Sequence, residues 1–449
     1  MSDLWVWMNG ERVGTWTSSR AATHKLTYES GWIESPRGRP LSLSLPFTAD
    51  RTIAGDKVAH FFENLLPDSR AIRQRVGRRL GVDGDDSFEL LTAIGRDCVG
   101  AVQLLPPDTT PAGFDQVRGT RLTPEQVEQH LLRVTVDPQL APDENAHDAW
   151  RISLAGAQEK TALLRIGDDW YLPSGATPST HILKLPLGLV GNQRADMRDS
   201  VYNEWLCLAL LEALGLPAAR SEVLSFGAQT VLCVERFDRQ WVAPEGVPPW
   251  IVRLPQEDMC QALGLPPGQK YEVTDARGRT SGPTMDMLLH LLTTGAEPVA
   301  DASLFLLAQL MFWVLGNTDG HGKNFSVFLQ PGQTYAMTPL YDVISLWPMV
   351  GNAPSQMRQR EMRLAIALRA RKVRRKLDDI QAQDWVEAAH RHGLIELPSQ
   401  MHALLLEVPA AVERALARRP EGFPQRLLDK MLPRILARAA QAAERIAAA

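Results

Sequence analysis

The sequence predicts an α+β protein of two lobes, preceded by a small α+β domain and ending in an all-helical C-terminal lobe. Three observations predict it. An Asn9-Gly10 turn signal joins two Trp-rich segments near the start of the chain. β-like segments and one strong helical segment alternate between residues 161 and 239. From about residue 256 the pattern is mostly helical, interrupted by a β-like stretch between Phe325 and Leu346.

The elements follow in order. Trp5, Trp7, Val13 and Trp16 flank Asn9-Gly10, and both turn residues tolerate positive φ, so a hairpin is expected. LSLSLPF reads as a further strand. FFENLLPDSRAIRQRVGRRLG reads as one helix ended by Gly81, and SFELLTAIG as another leading into strand-like VGAVQLLPP. These make the first domain, residues 1–108. Residues 106–119, rich in Pro, Gly and Thr, read as a linker, and RLTPEQVEQHLLRV as a helix with Pro in its first turn. TALLRI, THILKLP and TVLCVERFDR are β-like, with the helix SVYNEWLCLALLEALG before the last of them. Strand, strand, helix, strand is the skeleton of a nucleotide-holding lobe, placed at residues 120–255. Residues 256–449 form the helical lobe, closed by an amphipathic Ala/Leu/Arg-rich tail.

Composition narrows the class. At 449 residues the chain is too long for one small core. A net charge of −4 and a pI near 6.2 argue against a strong stand-alone nucleic-acid binder. Cys98, Cys207, Cys233 and Cys260 are scattered in apolar surroundings without metal or redox spacing, as buried thiols in a reducing compartment would be. No signal-peptide pattern opens the sequence, and the apolar run Ser303 to Leu315 is too short to span a bilayer. A cytoplasmic protein without a membrane partner is expected.

LGNTDGHGKNFSVF carries the chemistry. Asp319 and Asn324 stand with four residues between them. That is the protein-kinase catalytic-loop spacing, in which Asp takes the substrate hydroxyl proton and Asn binds Mg²⁺. Asp342, after a β-turn-β segment, is placed to be the second Mg²⁺ ligand. Lys184 falls on one face of a strand between the loop AGAQEK and the NEWLCL helix, where a kinase keeps the lysine for the ATP α/β-phosphates. Glu204 on that helix is its expected ion-pair partner, and VERFDR the hinge facing adenine. The ordered set predicts a two-lobed protein-kinase-like fold using ATP and Mg²⁺. There are departures. No His-Arg precedes Asp319, no Phe-Gly follows Asp342, and AGAQEK has a single Gly. Neither GHGKN nor QEKT has P-loop spacing, so a Walker A site is excluded.

RISLAGAQEKTALLR, HILKLP, VERFDR, RLPQEDMCQALGLP, NTDGHGKNFS and PLYDVIS together resemble the HipA family. These are serine/threonine kinase toxins of bacterial type II toxin–antitoxin modules, and the likeness runs along nearly the whole chain. The resemblance implies Asp319 as catalytic base, Asn324 and Asp342 as Mg²⁺ ligands and Lys184 as the ATP-phosphate lysine. It implies a phosphate loop of Ala155, Gly156, Ala157, Gln158, Glu159 and Lys160, and a hinge of Glu235, Arg236 and Phe237. His321, Gly322, Lys323, Asn324 and Tyr341 should border the nucleotide. Gly322 stands where a close relative carries Ala. Ser153 looks like the family's autophosphorylation site, where a phosphate would repel ATP phosphates and silence the enzyme. The resemblance further implies a helix-turn-helix antitoxin, HipB, with which the toxin represses its operon. Its implied substrate is an aminoacyl-tRNA synthetase, typically glutamyl-tRNA synthetase, whose phosphorylation arrests growth and gives antibiotic tolerance.

The segment LRARKVRRK suggests an operator-DNA contact through Arg371, Lys372, Arg374, Arg375 and Lys376, or else a solvated helix face or loop. Two other function classes are less favoured: a small-molecule phosphotransferase, against which the likeness across the N-terminal domain argues, and a catalytically silent kinase fold acting in co-repression, against which the intact Asp319, Lys184, Asn324 and Asp342 argue.

Overall fold

The computed structural model describes residues 2–19, 23–135, 154, 156, 158–190, 195–353 and 356–447. The chain forms two compact units. The first is Met1–Leu185, Leu224–Gly268 and Ser326–Tyr335, and the second is Pro186–Val223, Gln269–Phe325 and Ala336–Ala449.

The first unit begins with a five-stranded antiparallel sheet, in the order Thr52–Ala54, His24–Tyr28, Glu11–Ser18, Ser2–Met8, Gln103–Leu105. Asn9 and Gly10 turn the expected hairpin with φ of 45° and 84°. Trp16 is fully buried and stacks on Phe62 at 3.9 Å, so the sheet closes over the helices beneath it. Two expectations fail here. The single helix expected from Phe61 to Gly81 is two helices, Asp56–Glu63 and Arg70–Leu80. Pro67 lies in the break, and Ser69 caps the second helix by accepting from the Ile72 N–H. The second helix does end at Gly81, in the left-handed region at φ 70°. LSLSLPF is a turn closed by a Ser42–Leu45 bridge, not a strand. Its serines spend their hydroxyls on the Gln261 carbonyl, Ser42 at 3.2 Å and Ser44 at 2.7 Å.

The second sheet of this unit has six strands in the order Ser221–Phe226, Gln229–Glu235, His181–Lys184, Lys160–Ile166, Asp169–Pro173, Gly119–Leu122. Helix Pro124–Thr135 covers one face through Val127 and Leu131, packed on Leu163, Leu183 and Val231. The hairpin-like return of Ser326–Leu329 pairs antiparallel with Gln256–Asp258. A fully buried ion cluster ties the unit together. Arg236 meets Asp238 at 2.9 Å, and Arg239 and Arg253 meet Asp97 at 2.9 and 3.3 Å. All four cysteines are buried and unbridged, as expected.

The second unit is mainly helical. Its helices are Ser200–Ala213, Met285–Leu292, Pro298–Leu315, Ala382–Arg391, Leu397–Ala417 and Gln425–Ala447, with shorter turns between. The apolar run begins earlier than the sequence suggested, with Pro298 at the first helical position. The helix is long and apolar enough to cross a membrane, yet Phe305, Leu306, Leu310 and Val314 are fully buried, so it is a core helix. The unit is not all-helical. LRARKVRRK, expected on a helix face or loop, lies in a hairpin of Arg363–Arg369 with Val373–Lys376. Its first strand alternates poorly because Leu364 to Leu368 are all buried, which hides the period-two signal.

Candidate active site

The loop bearing Asp319 starts where helix Pro298–Leu315 is forced to stop. Gly316 adopts φ 65°, and a Cβ there would stand 2.5 Å from the Trp347 indole. The chain then folds on itself. Asn317 accepts the Asp319 N–H on Oδ1 at 2.8 Å, and the His321 N–H returns to the Asp319 carbonyl at 2.7 Å. Asn324 closes the loop. Its side-chain amide donates to the Asp319 carbonyl at 3.0 Å and to the Asp342 carbonyl at 3.2 Å. The five-residue step from Asp to Asn is therefore the length that brings an amide back onto the peptide of the first residue. His321, Gly322, Lys323 and Asn324 are buried, whereas the Asp319 side chain is exposed. A loop closed by its own hydrogen bonds thus carries one exposed acidic residue.

Asp342 is joined to the same loop and sits at φ 58°, a conformation disfavoured for a side-chain-bearing residue. Tyr341 beside it donates its hydroxyl to the Lys323 carbonyl at 2.7 Å. Its hydroxyl braces the loop. Ser345 anchors the far side: Asn203 on helix Ser200–Ala213 hydrogen-bonds both its N–H and its C=O. Ser345 Oγ donates to the Leu315 carbonyl at 2.6 Å.

The donor set suits Mg²⁺. Asn324 spends its amide nitrogen on two carbonyls, which leaves the amide oxygen as the end fit for a hard cation, and Asp342 brings a carboxylate. Among the described residues no three His, Cys, Asp or Glu side chains form a cage. Mg²⁺ at phosphoryl-transfer sites takes one or two protein oxygens plus substrate phosphates and water, so this set fits it better than a dedicated cage would.

In the first unit, Lys184 is 6% exposed and lies opposite Lys160 and Leu232 in register. In the second, Glu204 is 1% exposed on helix Ser200–Ala213. Charged groups buried to that depth are kept for a reason other than solubility. Of the expected phosphate loop, Gly156 is bridged to Pro67 and accepts the Asp68 N–H at 3.0 Å. Gly156 has φ 104°, and a Cβ there would stand 2.6 Å from Lys160 Nζ. Gln158 donates to the Leu185 carbonyl at 2.6 Å, and Glu159 pairs with Arg75. Each of those two side chains thus has a partner within the protein. Ser153, Ala155 and Ala157 lie outside the described residues.

The hinge residues divide. Glu235 is exposed and Phe237 half-buried, but Arg236 is turned inward. Its guanidinium belongs to the buried ion cluster, its N–H is donated to the Thr180 carbonyl at 2.9 Å, and its carbonyl accepts from Arg239 N–H at 3.1 Å. The Arg236 guanidinium and N–H are thus both spent within the protein. The basic segment also divides. Arg371 and Lys372 are exposed at the hairpin tip, and Lys376 is half-buried. Arg374 faces Asp384 at 3.6 Å, and Arg375 turns inward onto the Glu272 and Leu364 carbonyls. Asn203, Asn317, Tyr271 and Ser345 escaped the sequence reading.

A loop that holds one outward carboxylate beside an amide and a second carboxylate is the site of a kinase-type phosphotransferase. Comparison with known proteins agrees. Residues 4–105 match the HipA N-terminal domain, and residues 152–416 the HipA-like C-terminal domain. The chain is 36% identical over 341 residues to the putative kinase Y4mE of Sinorhizobium fredii, covering 76% of each. It is 32% identical over 331 residues to the serine/threonine-protein kinase toxin HipA of Shewanella oneidensis, covering 73% of this chain and 71% of that one. A solved Shewanella oneidensis complex of HipA, HipB and operator DNA contains a chain that superposes with TM-score 0.75 at 26% identity. That match covers 97% of this chain and 96% of that one. The chain belongs to the HipA family and is a serine/threonine-protein kinase of the toxin type.

Proposed function

We propose that the protein transfers the γ-phosphoryl group of ATP to a serine or threonine hydroxyl of a protein target, as the toxin of a HipBA-like module in the cytoplasm. Asp319 orients the acceptor hydroxyl and takes its proton. Asn324 and Asp342 hold Mg²⁺, which would neutralise phosphate charge. Lys184 meets the α/β-phosphates, and Gly156, His321 and Gly322 border the nucleotide. The observation that supports this reading is the double hydrogen bond from Asn324 to the Asp319 and Asp342 carbonyls, which ties the three residues together.

The target we infer is an aminoacyl-tRNA synthetase, glutamyl-tRNA synthetase first, with growth arrest and tolerance as the outcome. Ser153 is the proposed self-silencing site. A helix-turn-helix antitoxin like HipB is the proposed partner, through which the protein reaches operator DNA and represses its operon. The composition of the Shewanella complex supports the partner and the DNA. Exposed Arg371 and Lys372 are the basic-hairpin residues suited to a phosphate backbone.

Incubation with Mg-ATP followed by phosphosite mapping tests this, with Asp319→Ala and Ser153→Ala alongside. Phosphate at Ser153 in the wild type and none in Asp319→Ala is expected. Equal labelling of wild type and Asp319→Ala would remove Asp319 from the role of base. Full labelling of Ser153→Ala at another residue would remove the switch.

A further inference from the structure

The Asp319 carboxylate already carries a hydroxyl. Tyr271 donates its phenolic O–H to Asp319 Oδ1. Its ring meets His321 edge-on with centroids 5.0 Å apart. The backbone reinforces the contact, since the Gly322 N–H is donated to the Lys270 carbonyl at 3.0 Å. On the other side Glu272 is bonded to the basic hairpin. It pairs with Arg369 at 2.5 Å, accepts the Ala367 N–H at 2.9 Å, and donates its own N–H to Ala365 at 3.1 Å. Residues 270–272 are thus held at both ends, with the phenol between them on the carboxylate.

A general base must hydrogen-bond the hydroxyl whose proton it takes. We propose that Tyr271 fills the acceptor-hydroxyl position at Asp319, so that a protein serine or threonine reaches the base only by displacing the phenol. The inference rests on the phosphotransferase reading above. A hydrogen bond to a carboxylate is stronger than one between neutral groups. Water brings no other binding energy with which to compete for it, whereas a docked protein does. Tyr271 therefore selects a bound protein hydroxyl over water and suppresses idle ATP hydrolysis.

The test needs no identified target. ATP hydrolysis by the full chain is measured with Mg-ATP alone, for wild type, Tyr271→Phe and Tyr271→Phe/Asp319→Ala. Tyr271→Phe keeps the ring against His321, and melting curves check that it folds. The expected result is hydrolysis about tenfold faster in Tyr271→Phe, at unchanged KM for ATP, with the gain lost in the double variant. A lower kcat would mean that the phenol orients Asp319, and an unchanged rate that the contact is idle. Phosphotyrosine at position 271 would make it an acceptor. Each of those results overturns the proposal, as does ATP binding with no hydrolysis in any variant. Failure of wild type to bind Mg-ATP by calorimetry would instead overturn the kinase reading.

Discussion

Asn203 clamps Ser345 by both of its backbone groups. The side-chain amide donates to the Ser345 carbonyl at 2.8 Å and accepts the Ser345 N–H at 2.9 Å, with both residues buried. Helix Ser200–Ala213 is thereby fastened to the segment that carries Asp342.

Asn203→Ala leaves a buried N–H and a buried C=O without that partner. Each costs about 1–3 kcal/mol, so urea unfolding should show a loss of about 2–6 kcal/mol. Phosphorylation kinetics should show kcat falling more than KM for ATP, because the segment that carries Asp342 loosens while the rest of the site stays.

Asp342→Asn keeps a residue that tolerates φ 58° while removing its charge. Phosphate transfer should fall by about a hundredfold or more across a Mg²⁺ titration, with melting unchanged. Asp342→Val should also lose about 1–2 kcal/mol of stability, since a β-branched residue resists the left-handed region.

Glu257 sets a pH dependence. Burial pushes its carboxyl up to about 8 from 4.5, although it accepts the Leu43 N–H at 2.7 Å. Between those two values the folded chain holds a proton that the unfolded chain has released. Stability therefore falls as pH rises from about 4.5 to about 8, and levels above that. Glu257→Gln removes the slope. At pH 8 the variant should gain on wild type by about 2–4 kcal/mol relative to the difference at pH 5, read from urea midpoints at both pH values.

Asp97 gives the opposite sign. Burial alone would raise its carboxyl, but Arg239, Arg236 and Arg253 more than reverse this and hold it well below the usual carboxylate range. Its contribution is present above the unfolded carboxylate range and is lost as pH falls below it. Asp97→Asn strands buried guanidinium charge and should cost about 3–5 kcal/mol at pH 7, with little further loss on acidification.

Local signals were legible and distant ones were not. Asn9-Gly10, the Gly81 cap and the Asp319-to-Asn324 spacing act within a few residues, so the sequence shows them directly. The Arg236–Asp238 pair is local, but no residue near Arg236 announces Asp97, which lies far upstream in the chain. Asn203 was one polar residue in an apolar helix until Ser345 came beside it. The basic hairpin was hidden because charges dominate its sequence while Leu364 to Leu368 are buried together. Pro67 gave a local sign of a broken helix, and the apolar stripe around it outweighed that sign.

The interleaving of the two units sets a timetable for synthesis. Strand Gln256–Asp258 leaves the ribosome without its partner and waits for Ser326–Leu329. Between them the chain delivers Tyr271, helix Pro298–Leu315 and Asp319, all belonging to the other unit. No single cut in the gene separates the units, and a nascent chain stopped short of Ser345 lacks the residue that Asn203 clamps. A chain built this way acquires its complete site only when translation is well advanced.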